Sequence, residues 1–131
     1  MKYPTSIPCF SVADKKKSAD FYQKAFGFEK GEHDSKEYVE MRFKDLVVMF
    51  SNEGVEGKDI FTPKHSGKRC PMILYIFCDD VDAFYKNALA HGAKSIDKPY
   101  DTSWGDRMCT LEDSDGYTWY FAQHTESCSC E

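Results

Sequence analysis

Met72-Ile73-Leu74-Tyr75-Ile76-Phe77-Cys78 is the longest apolar run in the chain, and it ends on Asp79-Asp80. A short apolar run closed by acidic residues reads as a buried strand followed by the cap of a helix. Phe84, Tyr85, Ala88 and Leu89 then recur at helical spacing as far as Gly92, a residue suited to a left-handed helix terminus. The same order stands 65 residues earlier, with Ile7–Val12 as the strand, Asp14 as the cap, Phe21, Tyr22, Ala25 and Phe26 as the inward face and Gly27 as the stop. Aligning Asp14 with Asp79 also aligns Gly27 with Gly92, so the chain reads as two copies of one supersecondary unit. Pro8 marks the first strand as an edge or a bulge, because proline cannot donate to a ladder.

Each copy continues into strands. Glu37–Phe43 alternates polar and apolar residues, Leu46–Phe50 follows after a Lys44-Asp45 turn, and a short strand is placed at 28–32. In the second copy Asp106–Leu111 and Tyr117–Ala122 form a hairpin through Asp113-Ser114-Asp115-Gly116. The expected fold class is α+β: two βαβββ modules whose mixed sheets enclose a cleft, the natural place for a ligand. Residues 1–131 form one domain, with module one at about 1–51, a connecting loop at about 52–70, module two at about 71–124 and a polar tail at 125–131. A loop of that length carries a function more often than not.

Composition narrows the partners. The 131 residues are 41% hydrophobic, 15% aromatic and 30% charged, which describes a compact globular chain rather than a disordered one. The net charge of -5 argues against nucleic acid, whose binding is driven by Lys and Arg, and leaves cationic or neutral ligands. No apolar run approaches the roughly 18 residues of a membrane span, and Met1-Lys2-Tyr3-Pro4 lacks the apolar core of a signal peptide. A cytoplasmic location with reduced thiols is therefore expected, and Cys9, Cys70, Cys78 and Cys109 read as small core hydrophobes. Cys128-Ser129-Cys130 could clip a soft metal, although two ligands rarely make a specific site.

A series of short segments points to a known family. Ser11-Val12-Ala13-Asp14 followed by Phe21-Tyr22 and Ala25-Phe26-Gly27-Phe28 resembles the opening of the vicinal oxygen chelate superfamily, the group of glyoxalase I, bleomycin-resistance proteins, fosfomycin-resistance proteins and extradiol dioxygenases. Asp79–Ala83, Gly92-Ala93, Trp104-Gly105-Asp106-Arg107 and Glu112–Trp119 are similar to its closing signature, with a lean toward the PhnB-like and bleomycin-resistance branch. The resemblance implies cleft-facing metal ligands on the first and last strands of each module. At those positions this chain has Ile7, Met49, Ile73 (or Met72) and Tyr120, of which only Tyr120 carries an oxygen. Neither a metal nor another cofactor is therefore expected, and no catalytic residue is assigned.

The remaining candidates are aromatic and charged. Tyr75, Trp104 and Tyr120 could stack on a planar or cationic ligand, while strand alternation assigns Trp119 to the helix side. Glu40 could offer a carboxylate to a cation, and Arg107 could hold an anionic or carbonyl group unless it pairs with Asp113 or Asp115. The expected cleft is thus lined by Ile7, Cys9, Glu40, Met49, Ile73, Tyr75, Trp104, Arg107 and Tyr120. The expected function is metal-independent binding of an aromatic or cationic small molecule, as in sequestration of a toxic or antibiotic compound, by a homodimer of the kind the resemblance implies. A metal-dependent lyase, isomerase or dioxygenase, and a thiol protein acting through Cys9 or the terminal pair, stand as alternatives.

Overall fold

The computed structural model describes residues 3–125; Cys128 and Cys130, with the proposal attached to them, lie outside the described residues. Module one comprises β1 (Cys9–Val12), α1 (Lys15–Ala25), β2 (Glu29–Asp34), β3 (Tyr38–Phe43) and β4 (Leu46–Asn52). A one-turn helix α2 (Pro63–Ser66) precedes module two: β5 (Leu74–Phe77), α3 (Val81–Ala90), β6 (Lys94–Asp101), β7 (Asp106–Glu112) and β8 (Thr118–His124). The sheets run β1-β4-β3-β2 and β5-β8-β7-β6. In each, the first strand pairs in parallel with the last and the other pairs are antiparallel, as two βαβββ units require.

Local chemistry sets the helix ends. The Asp14 side chain accepts from the amides of Lys16 and Lys17, and that of Asp80 accepts from the amide of Ala83. The second cap is Asp80 rather than Asp79, so the caps repeat at 66 residues while Gly27 and Gly92, both at positive φ, stay 65 apart. The difference is absorbed by α3, which has 10 residues against 11 in α1.

Two strands begin later than the sequence pattern suggests. β1 opens at Cys9 and β5 at Leu74, leaving Ile7 and Ile73 ahead of the ladders, although the Pro8 carbonyl still accepts from the Met49 amide at 3.0 Å. β6 carries no periodic signal in the sequence: it is an irregular edge strand with Lys94, Asp97, Lys98 and Asp101 exposed and with register shifts along its length. Its pairing comes from β7, not from its own side chains. Inside the connecting loop, Thr62 caps α2 by accepting from the His65 amide, and Pro63 occupies the first turn, where a missing N–H costs nothing.

One apolar core serves both modules. Trp119 of β8 stacks on Phe10 of β1 at 5.6 Å, Phe26 at the C-terminal cap of α1 stacks on Phe84 of α3 at 5.9 Å, and Phe84 meets Phe121 at 4.2 Å. Trp119, Tyr22, Phe26, Phe50 and Phe121 are fully buried, each contributing about 1.5–3 kcal/mol by leaving water. A polar seam locks the modules further. The β7–β8 turn reaches module one, where Asp115 accepts from the Ala13 amide at 3.1 Å and from the Ser18 hydroxyl at 2.8 Å, and Asp113 accepts from the Tyr22 hydroxyl. Asp113 and Asp115 are therefore engaged with module one and not with Arg107.

Candidate functional site

Alternation along the strands separates two faces. Phe10, Val39, Met41, Val48, Phe50, Leu74, Ile76, Cys109, Leu111, Trp119 and Phe121 belong to the core, which turns the residues between them to the opposite face. On that face the β-register places Cys9, Met49 and Glu40 side by side in the first sheet, and Tyr75, Tyr120 and Thr110 in the second. The two rows occupy matching positions in the repeat. Five of the nine expected cleft residues thus fall into two aligned rows, with Trp104 joining the second from the β6–β7 loop; Ile7 and Ile73 are half-buried just before β1 and β5.

Glu40 is not the exposed carboxylate expected of it. It is fully buried, paired with the Arg42 guanidinium, and it also accepts from the His33 amide at 3.3 Å. Gly31 on the neighbouring strand leaves the space its carboxyl fills, since a Cβ there would overlap it. Arg107 also departs from expectation. It shares the core side of β7 with Cys109 and Leu111, forks onto Asp82 of α3 at 2.9 and 3.1 Å, and reaches Asp101 at 3.1 Å. These carboxylates draw it away from the two rows, and the guanidinium in turn holds the Asp82 carboxyl below its ordinary range. Cys9 is exposed rather than packed in the core, whereas Cys78 and Cys109 are buried and Cys70 is half-buried.

The second row carries an ordered aromatic wall. Tyr75 and Tyr120 lie 6.0 Å apart edge to face, Phe77 lies 5.4 Å from Tyr75, and the Trp104 indole N–H donates to the Tyr75 hydroxyl at 3.0 Å. That hydroxyl in turn donates to Asp106 at 2.6 Å, and His124 Nδ1 lies 3.0 Å from the other oxygen of the same carboxylate. Asp106 is buried, yet its carboxyl is held below the ordinary range, first by the Tyr75 hydroxyl and then by His124. Trp104 is 52% exposed. Its loop is fixed from below, where the Thr102 hydroxyl donates to the Asp106 carbonyl and accepts from the Asp106 amide.

Asp106 and His124 escaped the sequence reading. They are direct register partners, so counting outward from the Asp113–Gly116 turn along both strands would have paired them. Arg42 Nη2, Ser51 Oγ and Thr110 Oγ1 are buried polar atoms without a partner among the described residues, and all three lie on the face of the two rows. Among the described residues, no three His, Cys, Asp or Glu side chains converge as metal ligands would.

Comparison with known proteins agrees with this architecture. An uncharacterized protein of Mycobacterium bovis, Mb0911c, is 29% identical over 127 residues, covering 92% of this chain and 83% of its own. The crystal structure of TioX from Micromonospora superposes with a TM-score of 0.70 at 21% identity, covering 91% of this chain and 98% of that one. A mutant of the fosfomycin resistance protein FosX from Listeria monocytogenes, complexed with Mn(II) and 1S,2S-dihydroxypropylphosphonic acid, gives a TM-score of 0.72 at 15% identity, covering 96% and 94%. With the family model matched over residues 8–121, the chain belongs to the Glyoxalase/Bleomycin resistance protein/Dioxygenase superfamily.

Proposed function

We propose that this protein binds a planar, cationic small molecule on the Tyr75–Trp104–Tyr120 wall and does so without a metal. The observation that carries the reading is the chain of hydrogen bonds from Trp104 through Tyr75 to the Asp106 carboxylate. A phenol that donates to a carboxylate has a more electron-rich ring, and an exposed indole beside it offers a second negative face; a flat cation gains from both by stacking and by electrostatic attraction. The wall is held in place before a ligand arrives, which lowers the ordering cost of binding.

The donor set does not fit the divalent ion that relatives of this fold can hold. Ile7, Met49, Ile73 and Tyr120 stand at the positions implied for ligands, and Glu40 beside Met49 is already neutralised by Arg42. Sequestration of a toxic or antibiotic compound, in the cytoplasm and by a homodimer, completes the proposal. Sedimentation of the purified chain tests the dimer.

Titration with N-methylquinolinium tests the site. Trp104 is exposed and Trp119 is 1% exposed, and the quenching that Trp104→Phe abolishes is the part that reports on the wall. Saturable quenching that persists in EDTA and weakens about tenfold in Asp106→Asn is the expected result. A strict requirement for added Mn(II) or Zn(II), or equal affinity for neutral quinoline at pH 8, would overturn the reading.

A further inference from the structure

A cavity of about 360 Å³ lies where β1 comes near β5 and β8, and neither Tyr75, Trp104 nor Tyr120 lines it. Its walls are Phe10, Ser11, Leu74, Tyr117 and Trp119. The rings among them are mutually braced: Phe10 lies 5.6 Å from Trp119 in a stack and 5.0 Å from Tyr117 edge to face. Such walls keep their shape without a ligand.

The segment between β4 and α2 contributes Glu56 and Ile60 to the same cavity. Its ends are tied together through one residue. The Glu53 amide donates to the Val12 carbonyl at 2.8 Å, while its carboxylate accepts from the Thr62 amide at 2.7 Å and lies 3.0 Å from His65 Nδ1. A long loop closed at its base in this way behaves as a packed surface unit, and here it carries one carboxylate and one aliphatic side chain to the rim. Glu56 is the one carboxylate lining the cavity, and its proximity helps to raise the Tyr38 hydroxyl and the Cys9 thiol. Ile60 and Met72, also lining it, remain 44% and 64% exposed, so apolar surface continues outward from the opening.

We propose that this cavity is a second ligand site, for an amine with a compact apolar body: the ring or branched chain packs against Phe10, Leu74 and Trp119, and the ammonium is held by Glu56. The volume sits at the small end of ligand pockets, which limits the body to one or two rings. With one carboxylate and no basic residue in the lining, anions are disfavoured. The site does not depend on the aromatic wall, and the two stand or fall separately.

Cys9 lines the cavity and is exposed, so its alkylation reports occupancy. The full chain is treated with iodoacetamide in the presence of 3-phenylpropylamine, 3-phenylpropanol or 3-phenylpropionate, and the Cys9 peptide is quantified by mass spectrometry. The amine is expected to slow Cys9 labelling at a concentration about fivefold lower than the alcohol, and the carboxylate to give no protection. Glu56→Gln erases the difference between amine and alcohol, Leu74→Phe fills the cavity and abolishes protection, and Trp104→Phe leaves protection unchanged. Should Leu74→Phe fail to fold, the Glu56→Gln comparison decides the matter alone. Unprotected Cys9 in the folded wild type, an undiminished amine preference in Glu56→Gln, or loss of protection in Trp104→Phe would overturn the second site.

Discussion

The Trp119 indole N–H of β8 donates to the Tyr22 hydroxyl of α1 at 2.9 Å, so a strand of the second module is hydrogen-bonded to the helix of the first. The same hydroxyl donates to Asp113, and Trp119 also stacks on Phe10. The two modules share their most deeply buried polar contact as well as their aromatic core.

Tyr22→Phe leaves the Trp119 N–H and the Asp113 carboxyl without that partner in a buried site. A loss of about 1–3 kcal/mol is expected, measured by urea denaturation. Because both modules draw on the contact, tryptophan fluorescence and far-ultraviolet circular dichroism should report one coincident transition in wild type and variant. Two separated transitions would show that the modules unfold independently.

Burial pushes the Asp113 carboxyl up to about 7, outweighing the hydrogen bonds that favour its charged form. In the unfolded chain it titrates near its ordinary value of about 3.9. Between these values the folded protein holds a proton that the unfolded one has released, so this group's stabilisation is complete below about pH 4 and fades as pH rises through about 7. Asp113→Asn removes the contribution. The difference in thermal midpoint, wild type minus variant, should therefore be larger at pH 5 than at pH 8; a difference that grows with pH would contradict the assignment.

The cysteines should divide by environment. Burial raises the Cys78 thiol to about 11 and the Cys109 thiol to about 12, and both are out of solvent. Cys9 is exposed, although slight burial and the Glu56 charge raise it too. In a Cys128→Ser, Cys130→Ser background, iodoacetamide at pH 8 should modify Cys9 in the native protein and reach Cys78 and Cys109 only in urea. Native-state labelling of Cys109 would mean that the β7–β8 layer opens.

Gly31 faces the buried Glu40 carboxylate so closely that a methyl group would displace it. Gly31→Ala is expected to cost about 1–3 kcal/mol by overpacking. Combining it with Glu40→Ala should recover part of that loss, because the first change clashes only with what the second removes. Strict additivity in a thermal-denaturation cycle would place the strain elsewhere.

The repeat, the helix caps and the β-hairpin were legible because each is a local matter: a carboxylate within reach of free amides, a glycine at positive φ, an apolar period of two or of about 3.6. Assigning Tyr120 to one face and Trp119 to the other needed only strand alternation. Family membership was readable for the same reason, since short motifs in a fixed order are a property of the chain. What lay beyond it were the contacts that depend on which strands become neighbours. β6 has no pattern of its own and exists because β7 offers it hydrogen bonds. Arg107 turned to Asp82 and Asp101, Glu40 was covered by Gly31 and neutralised by Arg42, and Asp106 met His124 only through register. A charged side chain on a strand finds its partner across space, where the choice among carboxylates is made by distance and burial. By itself the sequence determined the two-module fold and its family; tertiary structure decided which side chains were left free to meet a ligand, because packing and charge pairing removed the others first.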